Sequence, residues 1–177
     1  MRDAELKLLA ELTKNSRRSD RELAKRLGIS QPTITRTRTK LENEGVIREY
    51  TIIPDFARLG YQVASITFGK LKEPASQETI DEVIRQAGEL EKRNPSPTIV
   101  AMRGIGCNAD YVSIAFHKTY SEYVQYTNYI RQFPQVNVDE IKSFVIDLLD
   151  KGHFRYLTLS VFSDYLLRTK DDQLETK

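Results

Sequence analysis

The segment Ser30-Gln31-Pro32-Thr33-Ile34-Thr35-Arg36-Thr37-Arg38-Thr39-Lys40 holds four threonines and three cations. Threonine hydroxyls hydrogen-bond phosphates and base edges, threonine methyls touch thymine, and the arginine fork matches guanine. This is chemistry for a nucleic-acid groove. Threonine at every second position would suit a strand, but the flanks decide for a helix. Ser30 is an N-cap, and Pro32 falls in the first turn, where its missing N–H has no intrahelical partner anyway. Ile34 and Leu41 stand seven apart, the spacing of a helix seam. Gln31, Thr35 and Thr39 then fall near one edge, with Thr33, Arg36 and Lys40 beside them. Together with Ser30, these are the residues expected to meet double-stranded DNA. An ordinary solvated helix would use Glu, Lys and Ala instead.

The elements that must position this helix are legible on both sides. Leu6, Leu9 and Leu12, with Asp3 as N-cap, predict an amphipathic helix over 3–14. Ser19 and Glu22 form a capping box, opening a second helix that buries Leu23, Ala24 and Leu27 and stops at Gly28. The third helix runs to Glu44-Gly45. Its propensity is poor, so tertiary packing of Ile34 and Leu41 must hold it. Residues 46–53 are β-rich and end at Pro54, as a short strand or wing should. Three helices and a strand make a winged helix-turn-helix over residues 1–54.

After a link at 55–61 the pattern changes. A strand at 63–68 is followed by a helix at 76–93, with Ile80, Val83, Ile84, Ala87 and Leu90 on its buried side. Thr98–Gly104 and Tyr111–His117 read as a hairpin around a Gly/Asn loop. A helix capped by Ser121 reaches about Phe133, and a strand covers 136–148. The order is β-α-β-β-α-β, the ferredoxin-like split pattern, so the fold class is α+β, with a body at 62–149. Residues 150–177 form an extension: a turn at 150–153, an extra strand at 154–161, a helix around 165–167 and a frayed tail from 169.

Charge separates the two parts. Residues 1–53 carry 12 Lys and Arg against 8 Asp and Glu, whereas the whole chain is only +2. A basic head suits a polyanion. The single Cys107 excludes an intrachain disulfide and fits a reducing cytoplasm. The N-terminus is charged and helically periodic, unlike a signal peptide, and no apolar run approaches the roughly 20 residues of a membrane span. A cytoplasmic location is expected. His117 and His153 are the only histidines; scattered as they are, they suggest surface positions, no metal site and no cofactor. No catalytic Ser/His/Asp, Cys/His or paired-carboxylate arrangement emerges.

Lys7-Leu8-Leu9-Ala10-Glu11-Leu12, Arg17, Glu22 through Ser30, Lys40 through Tyr50 and Leu59-Gly60-Tyr61 resemble the Lrp/AsnC (feast/famine) transcription regulators, closely over residues 2–61. From 62 to about 148 the resemblance is one of element order. It implies a sequence-specific DNA-binding regulator, assembled through its body as a homodimer or higher oligomer, with amino-acid effectors bound between bodies. The effector residues it implies here are Gly104, Gly106, Asn108 and Asp110. Two departures stand out. Arg38 occupies a usually apolar position, so its stem should cover the core edge and its head reach solvent or phosphate. The hairpin motif is one residue longer than usual, which predicts no response to common amino acids through that site and shifts any assembly change to residues 150–177. A rival reading comes from the siroheme decarboxylases, whose two-part scaffold is similar. That enzyme chemistry would want a His and Arg cluster in the body, and Arg103 has no histidine beside it. A third reading, a scaffold with a degenerate head, conflicts with the intact caps and basic helix.

Overall fold

Leu8, Leu12, Leu23, Ile34 and Leu41 are buried together and form the core of the head, with Leu9, Ala24, Leu27, Ile29 and Ile47 packed around them. They belong to three helices, α1 (Asp3–Lys14), α2 (Asp20–Leu27) and α3 (Gln31–Asn43). This is a computed structural model that describes residues 1–73, 76–93, 97–152 and 155–168. The chain forms two compact units: Met1–Ile53 with the C-terminal segment, and a body beginning at Pro54.

In the head, the Ser19–Glu22 capping box forms as expected, with Ser19 N–H donating to Glu22 Oε2 at 2.8 Å. Gly28 closes α2 at φ 65°, a left-handed position that favours glycine. The start of α1 differs from expectation. Arg2 is the N-cap, and its backbone N–H donates to Glu5 Oε2 at 2.7 Å. Asp3 lies inside the first turn and pairs with Lys7 at 2.9 Å. The expected strand at 46–53 does not form either. A lone β-rich segment among helices has no neighbouring ladder to join. At the other end of the chain, 155–161 forms no strand, but a short helix, α6 (Phe162–Arg168), packs on α1, with Lys14 Nζ 3.9 Å from Asp164. The tail from 169 and His153 lie outside the described residues.

The body is one antiparallel sheet, β1 (Val63–Leu71), β2 (Thr98–Gly106), β3 (Ala109–His117) and β4 (Val136–Asp147), in the order β2-β3-β1-β4. Register pairs Ser65 with Ala115 and Val145, so β1 is fully covered on both edges. Helices α4 (Gln77–Arg93) and α5 (Tyr120–Ile130) complete the ferredoxin-like order. The cap of α5 is Thr119, whose Oγ1 accepts from Glu122 N–H at 3.1 Å, rather than Ser121. Residues 55–61 are not a free link: Phe56 stacks on Phe116 at 3.8 Å, and Tyr61 meets both rings edge-on.

Alternate residues along each strand take opposite faces. Toward α5, Ser113 meets Tyr126 Oη at 2.7 Å, and His117, only 2% exposed, meets Ser65 Oγ through Nε2 at 2.8 Å. The expectation of a surface His117 is therefore corrected; the strand continues into the core and turns the ring beneath α5. The opposite face carries Ile66, Phe68, Val112, Ile114, Phe144 and Ile146, with Phe144 65% exposed. The expected buried stripe of α4 also needs correction. Ile84 is 64% exposed and Ala87 is exposed, because helical spacing reveals an apolar stripe but not whether an element packs on it. The side chain of Leu90 lies outside the described residues.

Candidate nucleic-acid interface

The α3 helix is held on its inner side by Ile34 and Leu41, and everything else about it follows from which polar side chains remain free. Ser30 is its cap: Thr33 N–H points at Ser30 Oγ (3.4 Å), and the two hydroxyls are 2.8 Å apart. Thr35 Oγ1 donates to Asp20 Oδ2 at 2.6 Å, across to the first residue of α2, with Gln31 O at 3.1 Å as a second acceptor. Lys40 Nζ reaches Glu5 Oε1 at 2.7 Å and Glu44 Oε1 at 3.6 Å. Hydrogen bonding to Lys40 and to the Arg2 backbone holds the Glu5 carboxyl at about 2, and the Glu5 partnership raises the Lys40 ammonium in return.

The seven residues expected to read DNA thus divide. Ser30, Thr33, Thr35 and Lys40 are occupied in building and orienting the helix. Gln31, Arg36 and Thr39 are exposed, and Arg36 makes no hydrogen bond or ion pair among the described residues. Arg36, Thr39, Lys40 and Asn43, at i, i+3, i+4 and i+7, line one shallow depression with Glu44. Asn43, at the end of the helix, was not singled out in the sequence; its spacing from Arg36 and Thr39 places it beside them. Arg17, Arg21, Lys25 and Arg48 are likewise exposed and unpaired among the described residues, whereas Arg18 and Arg26 converge on Glu11.

Arg38 does not send its head to solvent, contrary to expectation. Its Nε lies 2.8 Å from Asp20 Oδ1, as an ion pair rather than an aligned hydrogen bond, and Nη2 donates to Arg18 O at 3.1 Å. The guanidinium also covers the Tyr50 ring at 5.6 Å, within cation–π range. Tyr50 in turn donates to Glu42 Oε1 at 2.7 Å; burial, then that carboxylate, push its phenol up. One arginine therefore ties α3 to the start of α2 and to the segment after α3. Five donors in a planar fork make this possible where an apolar side chain could only pack.

In the body, β2 and β3 join through a two-residue turn, with Cys107 at φ 53° and Asn108 at φ 54°. Gly104 and Gly106 lie in β2 rather than in a loop. Asp110 Oδ2 accepts the Leu71 N–H at 2.9 Å, while Asn108 bridges Lys70 Nζ (2.7 Å) and Glu140 Oε2 (3.0 Å). Of the residues that the resemblance implied for an effector, Asn108 and Asp110 are engaged with their own chain.

Residues 1–48 match the winged helix-turn-helix DNA-binding family. An uncharacterised HTH-type transcriptional regulator of Pyrococcus abyssi is 37% identical over 87 residues, 49% of this chain and 56% of that protein. LrpC of Bacillus subtilis, an HTH-type transcriptional regulator, is 37% identical over 68 residues, 38% of this chain and 47% of LrpC. The chain spans about half the length of the curated relatives it matches. The fold likeness extends further. A solved Pyrococcus horikoshii structure, of another HTH-type regulator, superposes with a TM-score of 0.70 at 24% identity over 89% of this chain and 97% of that one. The first third of the chain is thus similar in sequence to HTH-type transcriptional regulators such as LrpC, and over most of its length the chain shares its fold with the solved Pyrococcus horikoshii structure, a winged helix-turn-helix head followed by a ferredoxin-like body.

Proposed function

We propose that this protein is a sequence-specific transcription regulator that binds double-stranded DNA through α3 and acts as a dimer. The observation that carries the reading is the division on α3: a rigidly anchored helix presents Gln31, Arg36, Thr39 and Asn43 outward. Arg36 reads a base edge, with Gln31, Thr39 and Asn43 beside it. Ser30, Thr33, Thr35 and Lys40 position the helix, and Lys40 meets backbone phosphate only where its bond to Glu5 allows. Arg17, Arg21 and Lys25 add sequence-independent phosphate contacts. The names of the relatives, HTH-type transcriptional regulators, support the same reading.

Dimerisation has its own support. The sheet face bearing Ile66, Phe68, Ile114 and Phe144 carries no helix among the described residues of the body, and exposed apolar faces of that kind mark association surfaces. Two related heads ask for a pseudo-palindromic site with half-sites about one turn, roughly 34 Å, apart or a multiple of it. The enzyme reading has no comparable support. His117 is buried against Ser65, and burial pushes its pKa down. Among the described residues no three His, Cys, Asp or Glu are grouped to hold a metal, and no helix is long and apolar enough to cross a membrane. A cytoplasmic site of action accords with DNA as the partner. Common amino acids are not expected to act through the 104–110 hairpin, since Asp110 and Asn108 are already bonded.

Selection of bound fragments from a randomised DNA pool by the full chain tests the proposal. Enrichment of one pseudo-palindromic sequence supports it; retention of no DNA, or of all sequences alike, contradicts it.

A further inference from the structure

An open cleft of about 820 Å³ lies on the helix side of the body, bounded by α4, α5, β2 and β3, with Ala87, Glu91 and Glu122 at exposed positions along it. That size falls within the range of small-molecule sites. Its walls are unusual in two respects. The rings of Tyr111, Tyr126, Tyr129 and Phe133 face it, and the charged side chains among its described lining residues are Glu91 and Glu122, both acidic. Tyr111 Oη is buried without a hydrogen-bond partner among the described residues. Gly69 makes room for that ring, since a Cβ there would overlap it. On the far wall, Val83 and Ala87 of α4 present small apolar surfaces.

We propose that this cleft binds an organic amine with an aromatic body, its ring stacked among the tyrosines and its ammonium directed to Glu91, with Glu122, whose Oε2 already accepts the Lys118 N–H at 2.7 Å, adding negative charge nearby. Anions are disfavoured there: the described lining has no Lys or Arg, and a bound carboxylate or phosphate would face two like charges without a partner. Aromatic faces, by contrast, attract cations, and more strongly once water is excluded. Burial pushes the Tyr126 phenol up, and the Glu91 charge adds a smaller push in the same direction. The site does not include the 104–110 hairpin, and it distinguishes an amine from the parent amino acid by the carboxylate alone.

The test uses three indoles of one shape: tryptamine, tryptophan and indole-3-propionate. The chain has no tryptophan, so indole fluorescence anisotropy reports ligand binding to the full-length protein without background. Tryptamine should bind, tryptophan about tenfold more weakly for the added carboxylate, and indole-3-propionate not measurably. Glu91→Gln, at an exposed position, should weaken tryptamine about fivefold, the size of a partly solvated ion pair. Val83→Phe should block it by filling the cleft, and thermal melting of that variant without ligand shows that it is folded. Equal binding of all three indoles, preference for the acid, no tryptamine binding up to about 1 mM, or tryptamine binding unchanged in Glu91→Gln would each overturn the proposal.

Discussion

Lys40 Nζ on α3 lies 2.7 Å from Glu5 Oε1 on α1, and Glu5 is only 3% exposed. The pair joins residues 35 positions apart and fixes the rotation of the helix that presents Arg36. Glu5 has a folded pKa of about 2 against an ordinary value of 4.5. Its contribution is therefore fully present above about pH 4.5 and lost as pH falls toward 2. Urea denaturation of the head, followed between those limits, should show falling stability in the parent protein and a shallower fall in Lys40→Met. Parallel pH profiles for the two proteins would contradict this.

Arg38 holds α3 to Asp20, to the Arg18 carbonyl and to Tyr50. Arg38→Ala should cost about 1–3 kcal/mol, the range for charged hydrogen bonds and the partners they leave behind. Arg38→Lys should recover only part, because a single ammonium cannot match a fork that reaches three groups. Chemical denaturation midpoints measure both. Full recovery by lysine would show that charge alone matters.

Burial of His117 lowers its pKa below the usual 6.5. The unfolded chain gains a proton near pH 6.5 and the folded chain does not, so this histidine's effect on stability is absent above that pH. Below it, stability declines. In an NMR titration the His117 midpoint should lie below 6.5, the pH at which a solvated histidine is half protonated; His117→Gln should lose the decline in stability. An ordinary titration midpoint would place the ring in solvent.

Phe144 stands on the uncovered face of the sheet at 65% exposure. Phe144→Asp should leave the head folded and convert a dimer to a monomer in light scattering at micromolar concentration, because a charge there opposes burial against a second copy. A parent protein that is already monomeric would contradict the dimer.

Local signals were legible in the sequence. The Ser19–Glu22 box, Gly28, Ser30 and the Ile34–Leu41 spacing each depend on neighbours within a turn or two, and each stands where it was read. The βαββαβ order was equally legible, because alternation along a strand and stripes along a helix are periodic. What the sequence could not reveal were partners brought together by folding: Glu5 for Lys40, Asp20 for Arg38 and Thr35, Ser65 for His117. That is why Lys40 looked as free as Arg36. The β-rich stretch at 46–53 had the right composition for a strand and lacked a neighbour; the α4 stripe had the right period and lacked a cover.

The central claim, that anchored α3 reads DNA through Arg36, is tested most directly by measuring the affinity of the parent protein and Arg36→Ala for a selected operator and for unrelated DNA across a range of salt. Loss of a bidentate base contact should weaken operator binding by about 1–3 kcal/mol while leaving most non-specific affinity in place. Unchanged operator affinity in Arg36→Ala, or an equal loss on both DNAs, would contradict the account.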